Sequence, residues 1–288
     1  MKISVALCSY NGEKFIRQQL ESILKQTVKV DEIIVCDDAS TDNTLKIVEE
    51  TSRKNPGILS IYTSNKNIGA IKNFEKSISL TTGDFIFLSD QDDIWNIDKT
   101  EKIISMFKNQ PKALLVFSNG ELIDQSGHKI SSTLWDKWGF TVEQQKKWKN
   151  NKLAFKDLLV NHNKVTGATL AFRKILKNYS IPIQVPRGYW HDAFLSLNAS
   201  ALDGLFFIEE CLIKYRIHKE QQIGIPNSFK NNFNSTNFYE SISYVSFLIK
   251  VIKRFSSCNL RIETTIILLK VIQSKIKNMI FSKLLNSM

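Results

Sequence analysis

Three carboxylates lie close together in one short stretch of the chain, at Asp90, Asp92 and Asp93. They follow the apolar run Phe85–Leu88, which predicts a strand buried on both faces. Neighbouring carboxylates resist ionising together unless a cation neutralises them. A hard divalent ion such as Mg²⁺ or Mn²⁺ takes oxygen ligands and usually brings substrate phosphates with it. The stretch therefore predicts a metal and phosphate site, with a solvated acidic loop before a helix that begins near Ile97 as the alternative.

A second acidic pair and a polar turn end two other predicted strands. Asp37 and Asp38 follow the apolar run 32–36, and the polar turn Ser9–Gly12 follows the run that starts at Ile3. The carboxyl ends of parallel strands meet at one edge of an open sheet, where ligands bind. One acidic pair at a strand end is ordinary. Acidic residues at the ends of two strands, with a polar turn at the end of a third, favour a ligand of the phosphate or nucleotide type.

The predicted elements follow one another in the order of βαβ units. Apolar spacing predicts helices over 13–26, 40–53, 70–80, 97–109 and 193–202, and strands over 3–9, 32–36, 58–63, 85–88, 113–118 and 165–172. Residues 121–130, with a turn at Gly127, predict a hairpin. Strands that alternate with helices of this length form a parallel sheet, so the predicted fold class is α/β with a doubly wound sheet.

Three later stretches carry further candidate residues. Gly167 lies in a strand of small residues and predicts close approach of the backbone to a ligand. Asp192 opens a helix, where the dipole favours a carboxylate whether it is a simple cap or a functional group. Arg216 ends a strand and suits phosphate recognition. His218 could complete a metal shell, contact phosphate, or lie on the surface without a ligand.

The three tryptophans of a polar stretch allow two interpretations. Trp135, Trp138 and Trp148 lie among lysines between residues 133 and 152. They could form a platform for an acceptor sugar or lipid, or belong to an ordinary core.

Composition narrows the class of protein. With 288 residues and 43% hydrophobic content, the chain can bury one core or two modest ones. The four scattered cysteines form no CxxC pair, which argues against a zinc site or a disulfide framework and fits a reducing cytoplasm. The N-terminus runs directly into a strand, so we expect no signal peptide. No apolar stretch reaches the ~18–20 residues that span a bilayer.

The net charge of +11 is concentrated in the C-terminal quarter, where residues 214–288 contain twelve Lys or Arg and three Asp or Glu. Such a bias attracts nucleic acid or the anionic face of a membrane, but no zinc finger, RNA-binding or helix-turn-helix pattern supports nucleic acid. An Asn- and Ser-rich stretch at 231–237 predicts a boundary between a domain at 1–225 and a basic helical region at 226–288. The helices of this tail could pack on the preceding domain, lie on a membrane or form a dimer contact.

Four motifs in register resemble those of the family 2 glycosyltransferases with the GT-A fold. They are Ser-Tyr-Asn-Gly at 9–12, Val-Cys-Asp-Asp-Ala-Ser-Thr-Asp at 35–42, Asn-Ile-Gly at 67–69 and Leu-Ser-Asp-Gln-Asp-Asp-Ile-Trp at 88–95. They are most similar to the bacterial rhamnosyltransferase-like enzymes of surface polysaccharide assembly, over about residues 1–220. The resemblance implies a mostly parallel sheet with a Rossmann-like nucleotide-binding half and an acceptor-binding half, followed by the helical tail.

The resemblance also implies roles for individual residues. Asp192 would be the catalytic base, and the metal ligands would be Asp92, as the main one, Asp93 and His218. Asp38 would accept a hydrogen bond from a pyrimidine N–H. The nucleotide sugar would contact Ser9, Tyr10, Asn11, Asp38, Asn67, Gly69, Asp90 and Arg216. Which acidic oxygen meets the metal and which meets the ribose stays open.

The implied reaction is an inverting, metal-dependent transfer of a sugar such as rhamnose from a dTDP- or UDP-linked donor. The acceptor would be a hydroxyl of a glycan or lipid-linked oligosaccharide in cell-surface polysaccharide synthesis. We therefore expect a cytoplasmic protein in peripheral contact with the inner face of the cell membrane, with Mg²⁺ or Mn²⁺ as cofactor and no nucleic acid partner. The metal would act as Lewis acid and template.

Two other functions compete with this one. A haloacid-dehalogenase-like phosphatase also places DxD after a strand, but near the start of its domain and followed by Thr or Val. A non-catalytic GT-A-fold scaffold at the membrane is the other, and the intact Asp38, Asp92 and Asp192 argue against it. The donor sugar, the nucleotide base, the acceptor and the oligomeric state are not readable from the sequence.

Overall fold

The computed structural model describes residues 1–160, 162–219, 221, 243–251, 269–270 and 273. The strands are β1 (Ile3–Ser9), β2 (Glu32–Asp37), β3 (Leu59–Thr63), β4 (Phe85–Ser89), β5 (Ile94–Trp95), β6 (Leu115–Ile123), β7 (Lys129–Thr133), β8 (Leu170–Arg173) and β9 (Leu205–Arg216). The helices are α1 (Ile16–Leu24), α2 (Thr44–Lys54), α3 (Ala70–Leu80), α4 (Lys99–Asn109), α5 (Leu134–Trp138), α6 (Val142–Trp148), α7 (Asn151–Leu159), α8 (Lys177–Ser180) and α9 (His191–Ala201).

All nine strands belong to one sheet, in the order β3-β2-β1-β4-β8-β6-β9-β5, with β7 paired to β6. Strands β1 to β4 form one half of the sheet and are parallel to one another. Every residue of β1 and β4 is buried, as their continuous apolar runs predict for strands covered on both faces. The predicted α/β fold with a doubly wound sheet is confirmed, and the carboxyl ends of β1, β2 and β4 meet at one edge.

The C-terminal half of the sheet mixes directions. β8 is antiparallel to both β4 and β6, and β6 is parallel to β9. The predicted hairpin is confirmed as the β6–β7 pair, whose turn contains Gly127 at φ 89°. The strand predicted over 165–172 is shorter, because residues Gly167–Thr169 form a 3₁₀ turn before β8. Both the amide and the hydroxyl of Thr169 donate to the Thr166 carbonyl, which stabilises this turn.

One helix of the C-terminal tail packs on the rest of the fold. In this helix, at 243–251, the buried side chains include Phe247, whose ring centroid lies 5.1 Å from that of Tyr189 and 6.0 Å from that of Phe194. Of the three arrangements open from sequence, packing on the preceding domain is therefore the one seen for this helix. The stretch 231–237 and the predicted boundary at 225/226 lie outside the described residues. None of the described helices has the length and apolarity that a membrane span requires.

The tryptophans of the polar stretch pack in or against the hydrophobic core. Trp135 and Trp148 are buried in one aromatic cluster around Phe117 and Phe140, so they belong to the core. Trp138 is half-buried, and its indole N–H donates to the Thr166 hydroxyl at 3.0 Å.

Candidate functional site

The ends of β1 and β2 are tied together by Asp37. Its carboxylate accepts hydrogen bonds from the Ser9 hydroxyl at 2.8 Å and from the Ser40 amide at 2.8 Å. Asn11, at φ 49°, accepts from the Thr41 amide at 2.8 Å through its side-chain oxygen. The predicted nucleotide residues Ser9 and Asn11 therefore also hold the loop after β2, and this gives the edge a defined shape before any ligand binds.

Asp38 lies beside them and holds the loop before α3. Its two carboxylate oxygens accept from the amides of Ile68 at 2.7 Å and Gly69 at 2.9 Å. Gly69 precedes α3 at φ 84°, a backbone conformation that favours glycine. Asn67 accepts a second hydrogen bond from the same Gly69 amide. The structure thus brings Asp38, Asn67 and Gly69 together, with both Asp38 oxygens already bonded to protein.

Gln91 links the polar turn after β1 to the acidic stretch after β4. Its side-chain amide accepts from the Tyr10 N–H at 2.7 Å and donates to the Tyr10 carbonyl at 3.0 Å, as a neighbouring strand would. A Cβ on Gly12 would displace this side chain, so glycine there preserves its two hydrogen bonds with Tyr10. Gln91 thereby fixes the turn after β1 and the acidic stretch after β4 relative to each other.

The acidic stretch holds three carboxylates in different environments. Burial, and then the charges of Asp92 and Asp192, raise the pKa of Asp90 to about 7. Asp93 is fully buried, and burial followed by the charges of its acidic neighbours raises its pKa. Lys99 is also fully buried, and burial lowers its pKa while Asp93 and Asp90 oppose that effect. The buried amine therefore offsets part of the repulsion within the cluster.

Two of the three predicted metal ligands meet. Asp92 Oδ2 and His218 Nε2 are 2.9 Å apart, on side chains 13% and 6% exposed. Two adjacent ligands of an octahedral Mg²⁺ or Mn²⁺, each about 2.1 Å from the ion, lie about 3 Å apart. The pair therefore fits a divalent cation that takes its remaining ligands from phosphate and water. Within the described residues no group of three His, Cys, Asp or Glu side chains is arranged to hold a metal.

Asp93 does not join this pair. Its Oδ1 accepts from the Arg216 backbone amide at 3.0 Å, and its Oδ2 is buried without a hydrogen-bond partner among the described residues. Through Oδ1 the side chain fastens the end of β9, and the role of Asp93 as a third ligand stays a prediction.

The guanidinium of Arg216, predicted to contact phosphate, is bonded to protein groups in this structure. Its guanidinium donates to the carbonyls of Asp92 at 2.8 Å and Gln125 at 3.1 Å, and to the Gln18 side chain at 2.7 Å. It lies 4.6 Å from the centroid of the Phe15 ring and is 2% exposed. These contacts bind α1, the acidic stretch and the β6–β7 hairpin together, so Arg216 acts on the site through the backbone it holds.

The carboxylate of Asp192 lies in the first turn of α9, one residue inside the helix. It accepts hydrogen bonds from the amide of Ala193 at 2.6 Å, the amide of Gly167 at 3.1 Å and the side chain of Asn163 at 3.3 Å. Burial nevertheless raises its pKa to about 6, against the effect of these donors. Asp192 is partly exposed, and its charge helps to raise the pKa of Asp90, so α9 faces the acidic stretch.

Gly167, where the sequence predicts close approach of a ligand, packs closely against the start of α9. A Cβ on Gly167 would lie 2.9 Å from His191 Nε2 and 3.8 Å from the Cβ of Asp192. His191 stacks on Phe74 with ring centroids 4.1 Å apart, and burial lowers its pKa to about 3, which keeps the ring neutral. Glycine at 167 therefore lets the 3₁₀ turn approach α9 closely enough to donate to Asp192.

Three residues of this site were not identified from the sequence: Gln91, Lys99 and Asn163. Lys99 carried a signal, because a cation in the first turn of a helix is disfavoured by the dipole and implies a specific anionic partner. It donates to the Ala168 carbonyl at 2.7 Å, within the 3₁₀ turn whose Gly167 contacts Asp192. Gln91 lies inside the acidic motif. Asn163 lies in no motif.

Comparisons with known proteins agree with this geometry. A family model described as glycosyl transferase family 2 matches residues 4–180. The dTDP-rhamnosyl transferase RfbG of Shigella flexneri is 32% identical over 246 residues, which cover 79% of this chain and 76% of that protein.

Two solved structures share the fold at low sequence identity. S. aureus TarS in complex with UDP-GlcNAc is 17% identical with a TM-score of 0.60, covering 97% of this chain and 82% of that one. The mannosyltransferase PcManGT of Pyrobaculum calidifontis, in complex with GDP-Man and Mn²⁺, is 16% identical with a TM-score of 0.53, covering 98% and 73%. From the family match over most of the chain, the relative in Shigella and the shared fold, it follows that the chain belongs to glycosyl transferase family 2 and is a glycosyltransferase with the GT-A fold.

Proposed function

We propose that the protein is an inverting, metal-dependent glycosyltransferase that moves a sugar from a nucleotide-diphosphate donor to an acceptor hydroxyl. One observation carries this proposal: a carboxylate–imidazole pair suited to a divalent cation and a second, separate carboxylate with a raised pKa lie at the same sheet edge. Carboxylates whose environments shift their pKa in a cleft are candidates for acid and base roles. The pair belongs to the donor side and Asp192 to the acceptor side.

Different residues of this chain would bind the metal, orient the nucleoside and accept the proton. Asp92 and His218 would hold Mg²⁺ or Mn²⁺, which when bound neutralises the leaving diphosphate. The loops tied by Gln91 and Asp38 orient the nucleoside. Asp192 accepts the proton of the acceptor hydroxyl, because a group with a pKa of about 6 is largely ionised at pH 7 and can still hold a proton. The acceptor then approaches the sugar from the face opposite the diphosphate, and the anomeric configuration inverts.

The donor is proposed to be dTDP- or UDP-linked, with rhamnose as the first sugar to test. The relative in Shigella is named as a dTDP-rhamnosyl transferase, and TarS binds UDP-GlcNAc. PcManGT binds GDP-Man together with Mn²⁺, which supports a divalent cofactor. The two rival functions fit less well, because family membership disfavours a phosphatase and the raised pKa of Asp192 suits catalysis better than a scaffold.

The acceptor is proposed to be a glycan or lipid-linked oligosaccharide at the inner face of the cell membrane. The support for this is the charge of the C-terminal quarter, with twelve Lys or Arg and three Asp or Glu between Lys214 and Met288. Such a segment attracts anionic lipid. Nothing in the site calls for a nucleic acid partner.

We expect a thermal-shift screen to identify the donor and test the function. The screen uses UDP-, dTDP- and GDP-linked sugars, each with and without Mn²⁺. A ligand that binds only the native state at 100 times its Kd stabilises it by about 2.7 kcal/mol, a rise of several degrees in Tm. We expect the rise with one nucleotide class and a larger one with Mn²⁺. No rise with any nucleotide sugar would contradict the proposed function.

A further inference from the structure

The carboxylate of Asp192 is held by donors from two elements. Oδ1 accepts from the Ala193 amide of its own helix at 2.6 Å and from Asn163 Nδ2 at 3.3 Å. Oδ2 accepts from the Gly167 amide at 3.1 Å. Two of these three donors therefore come from the segment 163–167, which precedes β8.

The orientation of the Asn163 amide is fixed by the backbone. Its Oδ1 accepts from the Val165 N–H at 3.0 Å, and its Nδ2 donates to the Val165 carbonyl at 2.8 Å. If the Asn163 amide were turned over, its NH₂ would face the Val165 N–H and its oxygen would face the Val165 carbonyl, and both hydrogen bonds would be lost. Val165 thus determines that an N–H of Asn163, and not its oxygen, faces Asp192.

We propose that Asn163 is a positioning residue that orients Asp192 and selects the oxygen that accepts the proton. This inference rests on the proposed role of Asp192 as the base. A carboxylate oxygen has two acceptor positions. Ala193 and Asn163 both donate to Oδ1, whereas Gly167 donates to Oδ2. Asn163 thus occupies the second position of Oδ1, and the acceptor hydroxyl is left to approach Oδ2.

The proton transfer then has a defined path. The O–H bond of the acceptor breaks, and its proton moves to Asp192 Oδ2. The hydroxyl oxygen forms the new bond to the anomeric carbon, and the diphosphate leaves with the electron pair of the broken carbon–oxygen bond. Asn163 stays bonded to Oδ1 throughout and stabilises the charged form of the base before the transfer.

The other charged and titratable groups around Asp192 lie on different elements from Asn163. They are Asp90 after β4, Tyr215 in β9, Tyr189 before α9 and the neutral His191. Within the described residues, the Asn163 side chain forms hydrogen bonds with Val165 and Asp192. A change at Asn163 should therefore act on Asp192 without acting directly on those groups.

The test compares pH–rate profiles of Asn163→Ala and Asn163→Asp with the wild type. The assay follows nucleoside diphosphate released from the donor identified by thermal shift, with water as acceptor and with donor and Mn²⁺ saturating, so that the acidic stretch is occupied. We expect the acid limb of kcat to move up by about 0.5–1 pH unit in Asn163→Ala, because a hydrogen bond to the charged form is lost. Asn163→Asp should move it further, since it adds a like charge. The KM for donor should stay within about two-fold.

Asn151 offers a matched control. Its side chain forms the same two hydrogen bonds with one residue, donating to the Leu205 carbonyl at 3.2 Å and accepting from the Leu205 amide at 2.8 Å, and neither of them involves a carboxylate. Asn151→Ala should lower Tm and leave the acid limb in place.

An unshifted acid limb in both Asn163 variants, with Asp192→Asn inactive, would overturn the positioning role alone. A fully active Asp192→Asn would overturn the proposed base, and the inference with it. If Asn163→Ala folds poorly, the nearly isosteric Asn163→Asp carries the test.

Discussion

Replacement of Asp192 by asparagine should slow turnover about 10²–10⁴-fold while donor binding stays nearly unchanged. Asparagine keeps the shape of the side chain but cannot accept the acceptor's proton. Because burial raises the pKa of Asp192 to about 6, wild-type activity should also fall as the pH drops through about 6, where the base becomes protonated. Steady-state rates from pH 5 to 9, with Tm measured in the presence of the donor, check both parts.

Asp157 provides a control for this substitution. It is 8% exposed, and its carboxylate accepts from Trp148 Nε1 at 2.9 Å and Lys147 Nζ at 2.8 Å. Asp157→Asn should therefore lower stability with little change in turnover of the folded enzyme. An Asp192→Asn enzyme that works at the wild-type rate would show that another group is the base.

Loss of the metal, or of the Asp92–His218 pair proposed to bind it, should have the second large effect on activity. EDTA should abolish turnover, and Asp92→Asn or His218→Ala should weaken Mn²⁺ binding by at least about 10-fold, since even outer-shell partners of a metal ligand are worth that much. The measurement is calorimetric titration of Mn²⁺ in the presence of UDP or dTDP, which does not depend on catalysis.

The β6–β7 hairpin contains a matched histidine. His128 Nδ1 lies 3.4 Å from Asp124 Oδ2, in a pair whose side chains are 82% and 47% exposed. His128→Ala should bind Mn²⁺ as the wild type does, because an exposed pair gives an ion no shielded site. Full activity in chelator, or equal Mn²⁺ affinity in His218→Ala and His128→Ala, would contradict the assignment of the pair.

The predictable part of the fold and site follows from a simple physical rule. Apolar runs such as Phe85–Leu88 become buried parallel strands, and parallel strands bring their carboxyl ends to one edge. Asp38 and Asp92 could therefore be placed together from the sequence. The α9 helix was also predicted, with Asp192 at its start, although it is buried on every side and has no single apolar face.

The rest depends on contacts between residues distant in sequence. Arg216 has the right chemistry for phosphate, but the carbonyls that take its donors belong to residues about 90 and 120 positions earlier. The contact of Asp93 with the backbone of β9 was not predictable for the same reason. Asn163 lies between α7 and β8 without periodicity, and only the folded chain shows that its amide faces Asp192.

The stereochemistry of the product tests the central claim most directly. With a small alcohol such as methanol as acceptor, the glycoside cannot mutarotate, and its anomeric configuration can be read by NMR from the one-bond coupling between C1 and H1. A single displacement, with Asp192 on one face of the sugar and the diphosphate on the other, predicts a configuration opposite to that of the donor. A product that retains the donor's configuration would contradict this account.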